Sequence, residues 1–151
     1  MTPLYLSLGS NLGDKAANLH RAVALLEERL HTPCTAISSF LETEPWGYES
    51  ANSFLNACVL FELDRPATRP EARQILSICK EIETEMGRIQ RLPGEGYKDR
   101  LIDIDILLFG KLRMRTKTLT IPHPLMRERD FVMKPLREIS VAIGKPFLFL
   151  Q

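Results

Sequence analysis

The apolar residues of this chain change their period along its length, and the order of those changes limits the fold more than any other feature. Tyr5–Ser10 alternates as a strand does and breaks around Gly9, Asn11 and Gly13, where the two glycines read as serving a tight turn. From Lys15 to Leu30, the residues Leu19, Val23, Leu26 and Leu30 recur at spacings of four, three and four, one stripe of a helix. Asp14 stands at its N-cap position and Pro33 just beyond its end. Thr35–Thr43, rich in Thr, Ile, Ser and Phe, predicts a second strand that ends at Pro45-Trp46-Gly47, and Asn56–Leu63 predicts a third. Pro66 and Pro70 close that strand. Glu71–Met86 then carries Ala72, Ile75, Leu76, Cys79, Ile82 and Met86 at helical spacing, with Gly87 to stop the helix. Leu101–Phe109 is a fourth strand and the most apolar. A short hairpin through Arg115–Lys117, a turn at Ile121-Pro122-His123-Pro124 and short helices to about Ser140 follow.

Strand, helix, strand, strand, helix, strand is the order of a split βαβ unit. The expected fold is therefore α+β, a ferredoxin-like βαββαβ sandwich whose mainly antiparallel sheet carries its helices on one face. Its 151 residues match one domain spanning 1–151, at roughly 100–200 residues per domain. With 44% hydrophobic and 26% charged residues, the chain can bury a core without covalent staples. The stretch Arg88–Asp99 holds Pro93, Gly94 and Gly96 without periodicity and reads as a long loop of the kind that serves as a lid.

Charge and cysteines narrow the function classes. Twenty Lys plus Arg against 19 Asp plus Glu leave a net charge of +1, which excludes a generally basic nucleic-acid binder. No apolar run reaches the roughly 18–20 residues that span a bilayer, and MTPLYLSLGSNLGD lacks the basic start of a signal peptide. A cytoplasmic protein with neither a nucleic-acid nor a membrane partner is expected. Cys34, Cys58 and Cys79 are odd in number and form no CxxC, so they read as reduced core residues.

Chemistry concentrates in Arg100-Leu-Ile-Asp103-Ile-Asp105-Ile-Leu-Leu-Phe109. Side chains alternate faces along a strand, so Asp103 and Asp105 point the same way, and two such carboxylates repel unless they meet a cation. Magnesium takes oxygen ligands and is commonly held by one or two carboxylates plus substrate phosphates. Taken alone, D-x-D is short and frequent by chance, and a half-exposed strand with an acidic polar face explains it as well. The surroundings shift that balance: Arg88, Arg91, Lys98 and Arg100 precede the pair, and His123, Arg127 and Arg129 follow it. A polyphosphate with bound divalent ions needs acids for the metals and guanidinium forks for the remaining oxygens. His123, rigid between two prolines, can donate to a phosphate or cap a turn, while His20 and His31 read as surface positions. There is no GxxxxGK[ST] and no GxGxxG.

Taken together, these segments resemble the 6-hydroxymethyl-7,8-dihydropterin pyrophosphokinase family. The resemblance rests on Gly9-Ser-Asn-Leu12, Ser38-Ser-Phe40, Thr43-Glu-Pro-Trp-Gly47, Phe54-Leu-Asn56-Ala57, Glu81-Ile-Glu83 with Gly87-Arg88, Asp99-Arg-Leu-Ile-Asp-Ile-Asp-Ile106, Leu119-Thr-Ile-Pro-His123 and Arg129-Asp-Phe131. These blocks run in order from residue 4 to about residue 139. The resemblance implies the ferredoxin-like sandwich already expected, ATP as co-substrate, and two Mg²⁺ ions on Asp103 and Asp105. It implies that Phe54 and Phe131 sandwich a pterin ring, that Asn56 reads its edge, and that Asn11, Thr43, Pro45, Trp46 and Tyr97 complete its pocket. By the same resemblance Lys80, Glu83, Ile106, Thr120, His123 and Arg129 lie on ATP, and Arg88 and Arg100 join the catalytic set. Gln90 stands where many members have a second loop arginine, Lys80 where a Gln is common, and Pro124 where an aromatic is frequent.

The implied reaction is in-line attack of the pterin hydroxymethyl oxygen on the β-phosphorus of magnesium-ATP with release of AMP, performed by a monomer, with loop Arg88–Asp99 closing over ATP. Two alternatives stay open: another metal-dependent nucleotide transferase with a different acceptor, and a noncatalytic small-ligand or RNA-binding module. The second does not require same-face acids, which repel RNA phosphates. The net charge conceals a segregation: residues 88–137 hold 12 Lys plus Arg against 6 Asp plus Glu, +6, and the remainder 8 against 13, −5.

Overall fold

A computed structural model describes residues 1–44, 52–87 and 101–145. Its centre is β1 (Thr2–Ser10), which pairs antiparallel with β4 (Phe54–Leu63) on one side and β5 (Asp103–Phe109) on the other. The short strands β2 (Ala36–Ile37) and β3 (Leu41–Thr43) both pair with β4, so the sheet order is β2-β4-β1-β5 with β3 beside β4. Counting β2 and β3 as one broken strand gives the expected ferredoxin-like order. A second, two-stranded ribbon joins β6 (Met114–Arg115) to β7 (Thr120–Ile121).

Two helices cover one face of the sheet, as the stripes predict. In α1 (Lys15–Leu30), Leu19, Ala22, Leu26 and Leu30 are buried against Leu4, Leu6 and Leu8 of β1, together with Ala72, Ile75, Cys79 and Ile82 of α2 (Arg69–Met86). Asp14 caps α1 by accepting from the Ala17 N–H at 3.1 Å, but the helix is ended by His31 in the left-handed region (φ 54°), two residues before Pro33 acts. Thr68 caps α2, accepting from the Glu71 N–H at 3.4 Å, and Pro70 lies in the first turn. Pro70 therefore opens the helix instead of closing a strand, because its missing N–H is one the first turn would leave unpaired anyway.

Three expectations need correction. The predicted strand Thr35–Thr43 is broken. Ala36 faces Leu60 and Leu41 faces Asn56, so the register slips by one and an extra residue is inserted around Ser39 and Phe40. Ser38 stabilises the break: its N–H donates to the Cys58 carbonyl at 3.0 Å, while its hydroxyl accepts from the Cys58 N–H at 2.9 Å in place of a ladder carbonyl. The short helices expected to about Ser140 are one 3₁₀ turn (Met126–Glu128) and one long helix, α3 (Asp130–Ile143), which tolerates Pro135. Nor do the helices share one face. Val132, Met133, Leu136 and Ile139 of α3 pack on Tyr5, Cys58, Leu60 and Leu107 from the other side of the sheet. Glu138 ties α3 to the break by accepting from the Ser39 N–H at 2.8 Å. Strand residues of both parities therefore lie under a helix, which is why β1 and β4 read as nearly continuous apolar runs.

Candidate active site

α3 covers only part of its face of the sheet. Beyond Tyr5, Cys58 and Leu107 the same face carries Gly9 and Ser7 of β1, Phe54 and Asn56 of β4, and Asp103 and Asp105 of β5. Register places them in rows. Gly9 faces Asn56 on one side and Asp103 on the other, and Ser7 faces Cys58 and Asp105. Across three strands the Cα atoms of Asn56 and Asp103 stand roughly 10 Å apart, at about 4.8 Å per strand spacing, with only a hydrogen atom on Gly9 between them. Gly9 thus belongs to β1 and not to the turn. The turn is made by Gly13, in the left-handed region at φ 66°.

Gly9 is small because its neighbours come close: a Cβ there would lie 3.2 Å from Asn56 Oδ1 and 3.5 Å from the Phe54 ring. Asn56 is 3% exposed, and its amide donates to Thr43 Oγ1 at 2.8 Å and to the Leu41 carbonyl at 3.3 Å. With its donors committed, Asn56 presents its carbonyl oxygen to the space above Gly9. That is the group suited to accept from the N–H edge of a heterocycle.

The acidic flank is built from two elements. Asp103 and Asp105 are partly buried on β5, and α2 brings Glu83 against Asp103. Glu83 accepts from the Ile104 N–H at 2.8 Å and lies 3.2 Å from Lys80 Nζ. Its pKa is pushed up to about 7, first by burial and further by Asp103, with which it shares a hydrogen bond; the Ile104 N–H and Lys80 oppose the shift. Protonated Glu83 can donate to Asp103, and once it ionises, the acids concentrate negative charge that a cation relieves. Among the described residues no group of three or more His, Cys, Asp or Glu is placed to cage a metal. Two aspartates with ligand oxygens completing the shell fit magnesium, which is seldom held by an all-protein cage.

Opposite β5 stands the turn after β7. The His123 N–H donates to the Leu107 carbonyl at 3.0 Å, pinning the turn to β5, and Nδ1 accepts from the Leu125 N–H at 3.2 Å. Burial lowers the His123 pKa and Arg129 lowers it further, against the pull of Asp103. The neutral ring therefore carries its proton on Nε2, a donor for an anion. Arg129, at the start of α3, lies 5.7 Å from the centroid of Phe131, so a guanidinium and an aromatic face border the site together.

The fold brings Thr43, Phe54, Asn56, Lys80, Glu83, Asp103, Asp105, His123, Arg129 and Phe131 to this end of the sheet. Asn11 is buried in the β1–α1 connection, and Thr120 sits on β7 opposite Arg115. Ile106 has its side chain beside Leu6, 4% exposed in the core under α1 and α2, which leaves its backbone as the part that can meet a nucleotide. Pro45, Trp46, Arg88, Tyr97, Arg100 and the loop Arg88–Asp99 lie outside the described residues. Gly9 was missed as a site residue because a glycine before an Asn and another glycine reads locally as a turn.

Comparison with known proteins shows the family and the fold. Residues 5–141 match the family described as 7,8-dihydro-6-hydroxymethylpterin-pyrophosphokinase (HPPK). A 2-amino-4-hydroxy-6-hydroxymethyldihydropteridine pyrophosphokinase of Porphyromonas gingivalis is 45% identical over 141 residues, 93% of this chain and 92% of that one. Its namesake in Bacillus subtilis is 39% identical over 93% of this chain and 80% of its own length. A crystal structure described as HPPK-DHPS in complex with substrates aligns with a TM-score of 0.65 at 15% identity, a likeness of fold that covers 91% of this chain and 40% of that longer one.

Proposed function

This chain belongs to the 7,8-dihydro-6-hydroxymethylpterin-pyrophosphokinase family and is a pyrophosphokinase of folate biosynthesis, a transferase that uses ATP; from that premise we propose how its residues divide the work. The acceptor is 6-hydroxymethyl-7,8-dihydropterin and the by-product is AMP. Asn56 takes the ring edge of the pterin through its carbonyl oxygen, and Phe54 and Phe131 stack on its faces. Thr43 holds the Asn56 amide in the required orientation. Asn11, Pro45, Trp46 and Tyr97 complete the pocket.

Asp103 and Asp105 would hold two magnesium ions, which would supply the positive charge that makes the β-phosphoryl group electrophilic. The pterin hydroxymethyl oxygen forms the new bond to the β-phosphorus, and its hydroxyl proton is released to solvent. The bond from that phosphorus to the oxygen bridging the α-phosphate breaks, and AMP leaves with that oxygen. His123 donates from Nε2 to a phosphate oxygen, and Arg129, Arg88 and Arg100 balance the remaining charge. Lys80, Glu83, Thr120 and the Ile106 backbone hold the nucleotide. Catalysis then rests on positioning and electrostatics without a covalent enzyme intermediate.

Each of these groups comes from one chain of 151 residues, and the reading is of a single catalytic domain acting as a monomer. Among the described residues no helix is long and apolar enough to cross a membrane. Cys34, Cys58 and Cys79 are free thiols. Thiols in a folate enzyme support a cytoplasmic setting.

The observation that carries this reading is the row Asn56, Gly9, Asp103, which sets a side-chain amide and a carboxylate on opposite sides of a glycine. The test is to incubate the protein with ATP, magnesium and the dihydropterin alcohol and identify the nucleotide product. AMP formed one for one with pterin diphosphate, and lost with EDTA, is expected. ADP, or no turnover with any divalent metal, overturns the proposal.

A further inference from the structure

Lys15, the first residue of α1, reaches away from its own helix to the start of β4. Its Nζ donates to the Ser53 carbonyl at 3.1 Å and to the Ser53 hydroxyl at 3.2 Å, and that hydroxyl lies 3.1 Å from Glu42 Oε1 on β3. The resulting chain, Lys15 to Ser53 to Glu42, joins α1, β4 and β3 at one point. That point lies at the end of the β3–β4 ladder. Thr43 and Phe54 are the last pair in the β3–β4 ladder, and Phe54 is the terminal residue of its strand. Terminal pairs fray unless something outside the ladder holds them.

From these contacts we infer that Lys15 is a positioning residue for the pterin side of the site. The inference rests on the functional reading above. Anchoring the Ser53 carbonyl sets the peptide plane that leads into Phe54, and so sets where the Phe54 ring stands over Gly9. A cation does this better than a neutral donor, because it binds the carbonyl and the hydroxyl at once while Glu42, on the far side of the hydroxyl, balances its charge. Asn56 needs no such help, since Thr43 and Leu41 hold its amide directly. The bonds Lys15 makes beyond its helix, to the Ser53 carbonyl and hydroxyl, lie at the Phe54 end of β4. Its effect belongs to the pterin and not to the nucleotide.

The test is fluorescence titration of the full chain with 6-hydroxymethyl-7,8-dihydropterin, in magnesium and a non-hydrolysable ATP analogue, alongside calorimetric titration with the analogue alone. Lys15→Met is expected to weaken pterin binding about tenfold, the scale of losing hydrogen bonds to a charged donor, with analogue binding unchanged. Lys15→Arg, which keeps a cation with several donors within reach, is expected to restore pterin affinity to within about threefold of the unaltered protein. Pterin affinity unchanged in Lys15→Met overturns the inference. So does an equal weakening of pterin and analogue, which marks a general loosening of the fold. If the unaltered protein binds no pterin at all, the functional reading itself fails, a result distinct from either of these.

Discussion

Gly9 and Asn56 are partners across β1 and β4, and they stand so close that a Cβ on Gly9 would lie 3.2 Å from the Asn56 oxygen. Asn56 cannot swing aside without giving up Thr43 Oγ1 and the Leu41 carbonyl. Gly9→Ala should therefore displace the amide that reads the pterin, or the Phe54 ring beside it. Pterin binding, followed by fluorescence, should weaken about tenfold or more, while nucleotide binding and the folded spectrum persist. Unchanged pterin affinity would show that this oxygen does not contact the ring.

Asp105 faces Ser7 on the same face as Asp103 and lies away from the apolar cores. Asp105→Asn keeps the size and removes the charge that a divalent ion needs, so turnover should fall by about 10³ or more, the scale of losing a preorganised electrostatic partner. Thermal unfolding in EDTA should be no easier than in the unaltered protein, because one of two neighbouring like charges has gone. Turnover near the original rate would remove Asp105 from the metal site.

Glu83 has a folded pKa of about 7 against an ordinary 4.5, so the folded state holds its proton more tightly than the unfolded chain does. That preference stabilises the fold fully below pH 4.5 and is lost as pH rises through about 7. Glu83→Gln can still accept from the Ile104 N–H but cannot titrate. In metal-free buffer, the difference in urea-unfolding free energy between the two proteins should change by on the order of 2 kcal/mol from pH 4 to pH 8.5, favouring the glutamine variant at high pH. Parallel pH profiles would disprove the shift.

Ser38 is 4% exposed, and its hydroxyl is the acceptor for the Cys58 N–H at the break between β2 and β3. Ser38→Ala strands that buried N–H and should cost about 1–3 kcal/mol in urea unfolding. A loss under ~0.5 kcal/mol, the range of an ordinary surface change, would mean that the ladder closes over the break without it.

Much of this was legible in the chain, and the limits of what was legible have a physical pattern. The helical stripes of α1 and α2 were readable because a period near 3.6 is a property of consecutive residues, and so was the shared face of Asp103 and Asp105, which follows from alternation within one strand. The break at Ser38 was not, since it depends on a register with Cys58, twenty residues away. Glu83 could be matched to a family position, but its contact with Asp103 depends on how α2 lies against β5.

The sequence by itself determined α1, α2 and the long strands, their order, the acid pair and the family. Only the tertiary structure decided that α3 lies on the opposite face from α1 and α2, that it packs on only part of that face, and that Gly9 is the floor between Asn56 and Asp103 and not part of a turn. Period tells which side chains of an element share a face. Which face each neighbour covers, and what stands across from a given residue, is settled by packing and register between segments far apart in the chain.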